Sequence, residues 1–149
     1  MPLTAAIVLG LASCAQPVVP ETKVAALKKP VGMNGRGKIT SISLNDLFAL
    51  QQSDRVLLYD ARPGFFYGLG HLPGAISLPK SPDYDEQIVK REAEIKAALA
   101  AKKTIVVYCT NLTCPDARSL AIHLAGFGYS SSTLTGGWEA WKESGLPTE

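Results

Sequence analysis

The chain has 149 residues, a length that suits one domain with an additional segment. Hydrophobic residues make up 46% of the sequence, enough to form a core, and aromatic residues only 7%, so this core is mainly aliphatic. The formal net charge of +2 is too small to indicate nucleic-acid binding, and we expect no nucleic-acid partner.

An apolar segment with small residues occupies Leu3 to Ala15. It is too short to span a bilayer, which takes about 20 residues, but it is typical of the hydrophobic part of a secretory signal. The motif Leu-Ala-Ser-Cys ends at Cys14 and resembles the lipobox of bacterial lipoproteins, although no basic residue precedes the apolar run. The resemblance implies that residues 1–13 are a signal peptide and that Cys14 is acylated. We therefore expect a lipid-anchored protein of the bacterial cell envelope that faces the periplasm, at the outer membrane.

Residues 14–37 are rich in proline and glycine and are predicted to form a flexible linker. Up to Lys38, this stretch carries five lysines or arginines against one glutamate, a net charge of +4. Such a basic tether could lie against anionic lipid, and a solvated linker without specific contacts is the alternative. The folded domain is predicted to span residues 38–149.

Strands alternate with helices throughout this domain. Apolar strands are predicted at residues 38–42, 56–59, 75–78, 104–108 and 131–134. Helices are predicted after Ser43, which can cap the first of them, from Ser81-Pro82 to about Ala101, after Pro115 and after Gly136-Gly137. The alternation predicts an α/β fold with a parallel central sheet and helices on both faces. Ligands of such sheets lie at the carboxyl ends of the strands, where this chain has Asp60 and Cys109.

Cys109 lies between the end of a buried strand and the start of a helix. Backbone N–H groups and the helix dipole favour an anion at this place, which lowers the pKa of a cysteine and produces the nucleophilic thiolate. The local pattern is equally compatible with a buried cysteine that only ends a strand. The candidate loop continues through Thr110, Asn111, Leu112, Thr113, Cys114, Pro115 and Asp116.

Four sequence blocks occur in a characteristic order. They are Leu58 to Arg62, Gly70 to Pro79, Val107 to Cys109, and Gly136 to Trp141. Together they resemble the rhodanese (sulfurtransferase) family over about residues 38–149. The resemblance implies a cysteine that takes sulfane sulfur from a small donor, becomes a persulfide and passes the sulfur to a thiol or cyanide acceptor. It implies no cofactor.

The resemblance also implies roles for individual residues. By position, Cys109 matches the sulfur-carrying cysteine, Asp60 and Arg62 match the pair that closes the first motif, and His71 matches the histidine of the Gly-His-x-Pro-Gly-Ala turn. For Asp60 and Arg62 we favour a structural ion pair over a catalytic role. For His71 we favour a structural hydrogen bond.

The loop departs from the common form of the family, which has glycine three and arginine five residues after the cysteine. Leu112 and Cys114 stand at these positions, so the cation that would help to bind thiosulfate is absent from its usual place. Arg118, in the first turn of the next helix, is the candidate replacement. A phosphatase activity is disfavoured because relatives with that activity place histidine before the cysteine and arginine six residues after it, where this chain has Tyr108 and Pro115.

Cys114 leaves several functions open. In an oxidising compartment, Cys109 and Cys114 could form a disulfide, or Cys114 could act as a resolving or regulatory thiol. No metal site is expected, because the chain has only two histidines to complete a set of four ligands. The first hypothesis is a single-domain sulfurtransferase. The alternatives are an envelope thiol-redox protein that cycles this pair with a thioredoxin-like reductant, and a non-catalytic binding module.

Overall fold

The computed structural model describes residues 37–149. The predicted signal peptide, Cys14 and the predicted linker up to residue 36 lie outside the described residues. Among the helices within residues 37–149, none has the length and apolar character needed to cross a membrane.

The described part of the chain forms one parallel sheet with connecting helices. In chain order the elements are β1 (Ile39–Ile42), α1 (Leu44–Gln52), β2 (Val56–Asp60), α2 (Gly64–Leu69), β3 (Ile76–Ser77), α3 (Tyr84–Lys90), α4 (Glu92–Ala100), β4 (Thr104–Tyr108), α5 (Asp116–Gly126), β5 (Ser131–Leu134) and α6 (Gly137–Glu143). The strands are arranged in the order β1-β5-β4-β2-β3, and every neighbouring pair is parallel. The predicted α/β fold is confirmed.

Two hydrophobic clusters cover the two faces of the sheet. Alternate residues of the central strands point to opposite faces, as the twofold period of a strand requires. One cluster contains Tyr59, Val107, Ile88, Ile95 and Leu120, from β2, β4, α3, α4 and α5. The other contains Leu58, Val106, Leu47, Leu134 and Trp141, from β2, β4, α1, β5 and α6. Burial on both faces explains why β2 and β4 are continuous apolar runs.

The helices differ from the prediction in two places. The helix expected from Pro82 to Ala101 begins at Tyr84 and is divided at Arg91, whose backbone (φ −100°, ψ 7°) leaves the helical conformation. The Arg91 guanidinium donates to the carbonyl oxygen of Ser77 at 3.3 Å, a tertiary contact with the end of β3. The short helix α2 was not predicted. The predicted cap of α1 is confirmed, since Ser43 Oγ accepts the amide of Asp46 at 3.2 Å.

Candidate active site

The carboxyl ends of β2 and β4 lie side by side. Asp60, the last residue of β2, is paired in register with Tyr108, the last residue of β4. Cys109 follows directly, and the Ala61 amide donates to the Tyr108 carbonyl oxygen at 2.9 Å, which extends the pairing by one step. The sheet therefore places Cys109 beside the segment that follows Asp60, at the edge where ligands of parallel sheets bind.

Asn111 organises the loop that follows Cys109. Its side-chain oxygen accepts the amide of Thr113 at 3.2 Å and the Thr113 hydroxyl at 2.9 Å, and its carbonyl oxygen accepts the amide of Cys114 at 3.3 Å. Its side-chain amide donates to Glu139 of α6 at 3.1 Å. These bonds close a tight turn that directs Cys114 back towards Cys109.

The two cysteines of the loop form a disulfide, with their Cα atoms 6.1 Å apart. This separation lies in the usual range for disulfides. Cys109 is buried, and Cys114 is half-buried. Consecutive loop amides were expected to face an anion at Cys109, but the amides of Thr113 and Cys114 donate to Asn111 inside the turn. In this disulfide form, those two donors are not directed at a ligand.

The Gly136-Gly137 turn holds the other side of the loop. Gly137 has φ +58°, and a Cβ atom there would overlap the carbonyl oxygen of Cys109. The next two amides use this close approach, since Trp138 N donates to the Cys109 carbonyl and Glu139 N to the Thr110 carbonyl, each at 2.9 Å. Glycine at position 137 therefore allows the start of α6 to bind the backbone of Cys109 directly.

A buried cluster supports the same region. Arg62 Nε and Nη2 donate to the Asp60 carboxylate at 3.0 and 2.6 Å, and the Tyr108 hydroxyl donates to it at 2.6 Å. Arg62 also donates to the Gly70 carbonyl at 2.7 Å, and its guanidinium carbon lies 4.5 Å from the Trp138 ring centroid. The cluster thus connects Tyr108, which precedes Cys109, to Trp138, whose amide binds the Cys109 carbonyl.

Electrostatics fix the protonation of this cluster. Burial and the neighbouring Asp60 carboxylate raise the pKa of Tyr108, so its hydroxyl stays protonated and donates. Burial acts to lower the pKa of Arg62, but the hydrogen bonds and charge of Asp60 outweigh it, and the net direction is upward. Tyr108 and Arg62 therefore both stay protonated near neutral pH and act as donors, which agrees with a structural role for the cluster.

His71 belongs to a neighbouring structural contact. Its ring stacks on Tyr67 with centroids 3.9 Å apart, and its Nδ1 lies 3.1 Å from the Tyr67 carbonyl oxygen. Its backbone exchanges two hydrogen bonds with Glu149, at 2.7 and 2.9 Å. The histidine thereby connects α2 to the end of the chain, which is consistent with the structural role favoured from the sequence.

An open pocket of about 350 Å³ lies against the disulfide. Its lining from the loop and α5 comprises Cys109, Asn111, Leu112, Thr113, Cys114, Pro115, Ala117 and Arg118, and its lining from the sheet edge comprises Ser41, Thr133, Leu134 and Thr135. Leu112 is 76% exposed and stands at the rim. Arg118 is exposed and lines the pocket, so the structure brings the candidate replacement cation to the same pocket as both sulfurs.

Asp116 is a further charged group close to the sulfurs. Its carboxylate and the Sγ atoms of Cys109 and Cys114 all lie within 4.8 Å of one another, and Lys80 Nζ lies 3.6 Å from this carboxylate. From the sequence Asp116 was only a loop residue, because the distance to Cys109 depends on the turn at Asn111. Three such groups are one fewer than a structural zinc site uses, and both sulfurs are joined in the disulfide.

Comparisons with known proteins agree with this architecture. The family model of the rhodanese-like domain matches residues 43–144. A protein of Bacillus halodurans has a TM-score of 0.62 at 24% identity, covering 74% of this chain and 76% of its own. A thiosulfate sulfurtransferase of Pseudomonas aeruginosa has a TM-score of 0.54 at 25% identity, covering 74% of this chain and 20% of its own.

The chain also resembles a larger curated protein. An HTH-type transcriptional regulator of Mycobacterium tuberculosis is 30% identical over an alignment of 112 residues, and the alignment covers 73% of this chain and 44% of that protein. The chain thus spans less than half the length of this relative. The residues that the family model matches include β2 to β5, the cysteine loop and the glycine turn described above. Since the family model matches most of the chain and the fold agrees with it, the chain belongs to the rhodanese-like domain family.

Proposed function

We propose that this protein is a sulfurtransferase in which Cys109 carries sulfane sulfur as a persulfide. The observation that supports this most strongly is the position of Cys109, which follows β4 at the ligand edge of the sheet and lines an open pocket together with Arg118. A sulfurtransferase among the similar structures agrees with the assignment. The disulfide must be reduced before the cycle begins, and a thioredoxin-like protein is the proposed reductant.

The reaction has two steps. The Cys109 thiolate attacks the outer sulfur of thiosulfate, the bond between the two sulfur atoms of the donor breaks, and sulfite leaves with the electron pair. A thiol or cyanide then attacks the terminal sulfur of the persulfide and restores the thiolate. Arg118 attracts the dianionic donor, because a guanidinium beside the pocket offsets its charge.

The surrounding residues position Cys109 without reacting. The Trp138 amide holds the Cys109 carbonyl, and the Asp60–Arg62 pair holds Tyr108 and the Trp138 ring. The Asp116 carboxylate opposes the effect of the α5 dipole, since a negative charge near a thiol disfavours its thiolate. Lys80 partly offsets that charge. With these opposing charges taken together, Cys109, at the end of β4, remains the proposed nucleophile.

The proposed location follows the N-terminal motif. We propose that acylated Cys14 anchors the domain to the cell envelope, with the pocket facing the periplasm. An oxidising compartment would favour the Cys109–Cys114 disulfide, and the domain would need a reductant there to work.

Thiocyanate formation from thiosulfate and cyanide tests the proposed activity. Reduced wild-type protein should form thiocyanate, and the Cys109→Ser variant should form none, because the hydroxyl does not accept sulfane sulfur. A Cys109→Ser variant that keeps the activity contradicts the proposal. Wild-type protein that exchanges its disulfide with thioredoxin but forms no thiocyanate would favour the thiol-redox alternative, and inactivity in both assays would favour a binding module.

A further inference from the structure

We propose that Cys114 resolves the Cys109 persulfide within one chain and releases the sulfane sulfur as inorganic sulfide. The inference rests on the proposed function, because it requires a persulfide on Cys109. It adds a second activity, in which a thiosulfate-type donor is reduced to sulfite and sulfide without an external thiol or cyanide acceptor.

The loop geometry provides an internal thiol that can attack the persulfide. The Cα atoms of the two cysteines are 6.1 Å apart, and their sulfurs are already bonded in the structure, so Cys114 reaches Cys109 Sγ without rearrangement of the strand or of α5. The turn at Asn111 holds Cys114 in this place through the bonds at 3.2 Å and 3.3 Å that close it. An external thiol must instead enter the pocket from solution. The internal reaction therefore has the advantage of a high effective concentration.

The surroundings of the sulfurs favour one thiolate and one thiol in the reduced pair. The Asp116 carboxylate lies within 4.8 Å of both sulfurs, and three negative charges in this space would repel one another. Because this repulsion disfavours a second thiolate beside the first, the proposed cycle starts from a reduced pair that carries one proton. In the proposed cycle Cys109 is the thiolate that attacks the donor, and Cys114 keeps the proton.

The resolving step requires only this one proton. After sulfite has left, the terminal sulfur of the Cys109 persulfide takes the proton from Cys114. The Cys114 thiolate attacks Cys109 Sγ, a bond forms between the two cysteine sulfurs, and the bond from Cys109 Sγ to the terminal sulfur breaks. The products are the Cys109–Cys114 disulfide and HS⁻, so the sulfane sulfur is reduced by two electrons and the two cysteines are oxidised by two.

The pocket provides the exit and the reductant closes the cycle. Both cysteines line the same open pocket, so sulfide formed between them can leave directly to solvent. A dithiol, such as a thioredoxin-like protein, then reduces the disulfide by thiol–disulfide exchange. The net reaction converts thiosulfate and a dithiol into sulfite, sulfide and the oxidised dithiol.

A single-turnover experiment with the full chain tests this inference. The Cys14→Ala variant removes the third thiol and serves as the background. The protein is reduced, freed of reductant and mixed with an equal amount of thiosulfate. We expect one sulfite and one sulfide per chain, together with the Cys109–Cys114 disulfide. The rate constant for sulfide release, measured from the point at which sulfite has been released, should be independent of protein concentration, because the resolving step is intramolecular.

The Cys114→Ser variant in the same background separates this inference from the proposed function. It should release one sulfite per chain and no sulfide, and it should keep the persulfide on Cys109. Its sulfite release also shows that the variant is folded. Background protein that releases sulfite but retains the persulfide overturns the inference alone. Protein that releases no sulfite in either form overturns the proposed function and this inference with it.

Discussion

The Asp60→Asn substitution tests whether the buried cluster is structural. Asp60 is fully buried and accepts charge-assisted hydrogen bonds from Arg62 and a hydrogen bond from Tyr108. Asparagine has nearly the same size, but it removes the charge and turns an NH2 group towards groups that are themselves donors. Removing one partner of a buried ion pair costs about 3–5 kcal/mol. At about 4 °C per kcal/mol for a domain of this size, we expect Tm to fall by roughly 12–20 °C.

Thermal unfolding followed by circular dichroism measures the change in Tm, and urea unfolding measures the loss of free energy. Asp54→Asn is the matched control. Asp54 bonds to Lys103, but its side chain is 89% exposed, so its substitution should cost less than about 1 kcal/mol. The folded fraction of Asp60→Asn should keep most of its sulfur transfer activity. The reasoning is refuted if Asp60→Asn is as stable as the control, and a stable variant without transfer would assign Asp60 a direct role in the reaction.

Three other substitutions probe the loop, the donor and the anchor. Gly137→Ala should destabilise the protein by about 2–4 kcal/mol, because its Cβ atom would overlap the Cys109 carbonyl at a residue with positive φ. The control Gly68→Ala, in the exposed helix α2, should be neutral or stabilising, and urea unfolding compares the two variants. Arg118→Gln should raise KM for thiosulfate about tenfold with little change in kcat, and an unchanged KM would contradict its role. Cys14→Ala should abolish lipid labelling and leave an unprocessed precursor in a diderm bacterium; a soluble wild-type protein that retains its first residue would rule out the anchor.

The strands and the position of Cys109 could be predicted because their signals are local. Burial on both faces makes β4 a continuous apolar run, and such a run ends where the chain reaches the carboxyl edge. The cap of α1 could be predicted for the same reason, since Ser43 binds the backbone amide of a residue only three positions away. Parallel pairing then follows from the helices between the strands.

The helix break at Arg91 could not be predicted, because tertiary contacts determine it. The sequence favoured one long helix, in which opposite charges recur four residues apart. The pairs Lys90–Glu86 and Lys96–Glu92 are present on either side of the break, whereas a pair of Lys90 with Glu94 would cross it. Glu94 instead contacts Arg91 at 3.3 Å and accepts the Tyr59 hydroxyl at 2.6 Å. No proline or glycine at the break gave a local signal.

The short helix α2 and the position of Asp116 were missed for different reasons. The large apolar side chains Phe65, Phe66 and Leu69 of α2 are exposed, so the segment lacks the pattern of a helix with one buried face. Asp116 is adjacent to the loop in sequence, but its distance to Cys109 depends on a turn fixed by Asn111 and by α6. Spacing in the sequence does not encode that distance.

The most direct test of sulfur transfer through Cys109 is peptide mass spectrometry of the reduced Cys114→Ser variant after thiosulfate and alkylation. This variant lacks the thiol that would remove the persulfide, so the intermediate should persist. The result we predict is one added sulfur atom on the peptide that contains Cys109, together with an equal amount of sulfite. A peptide without added sulfur, from protein that is folded and fully reduced, would contradict it.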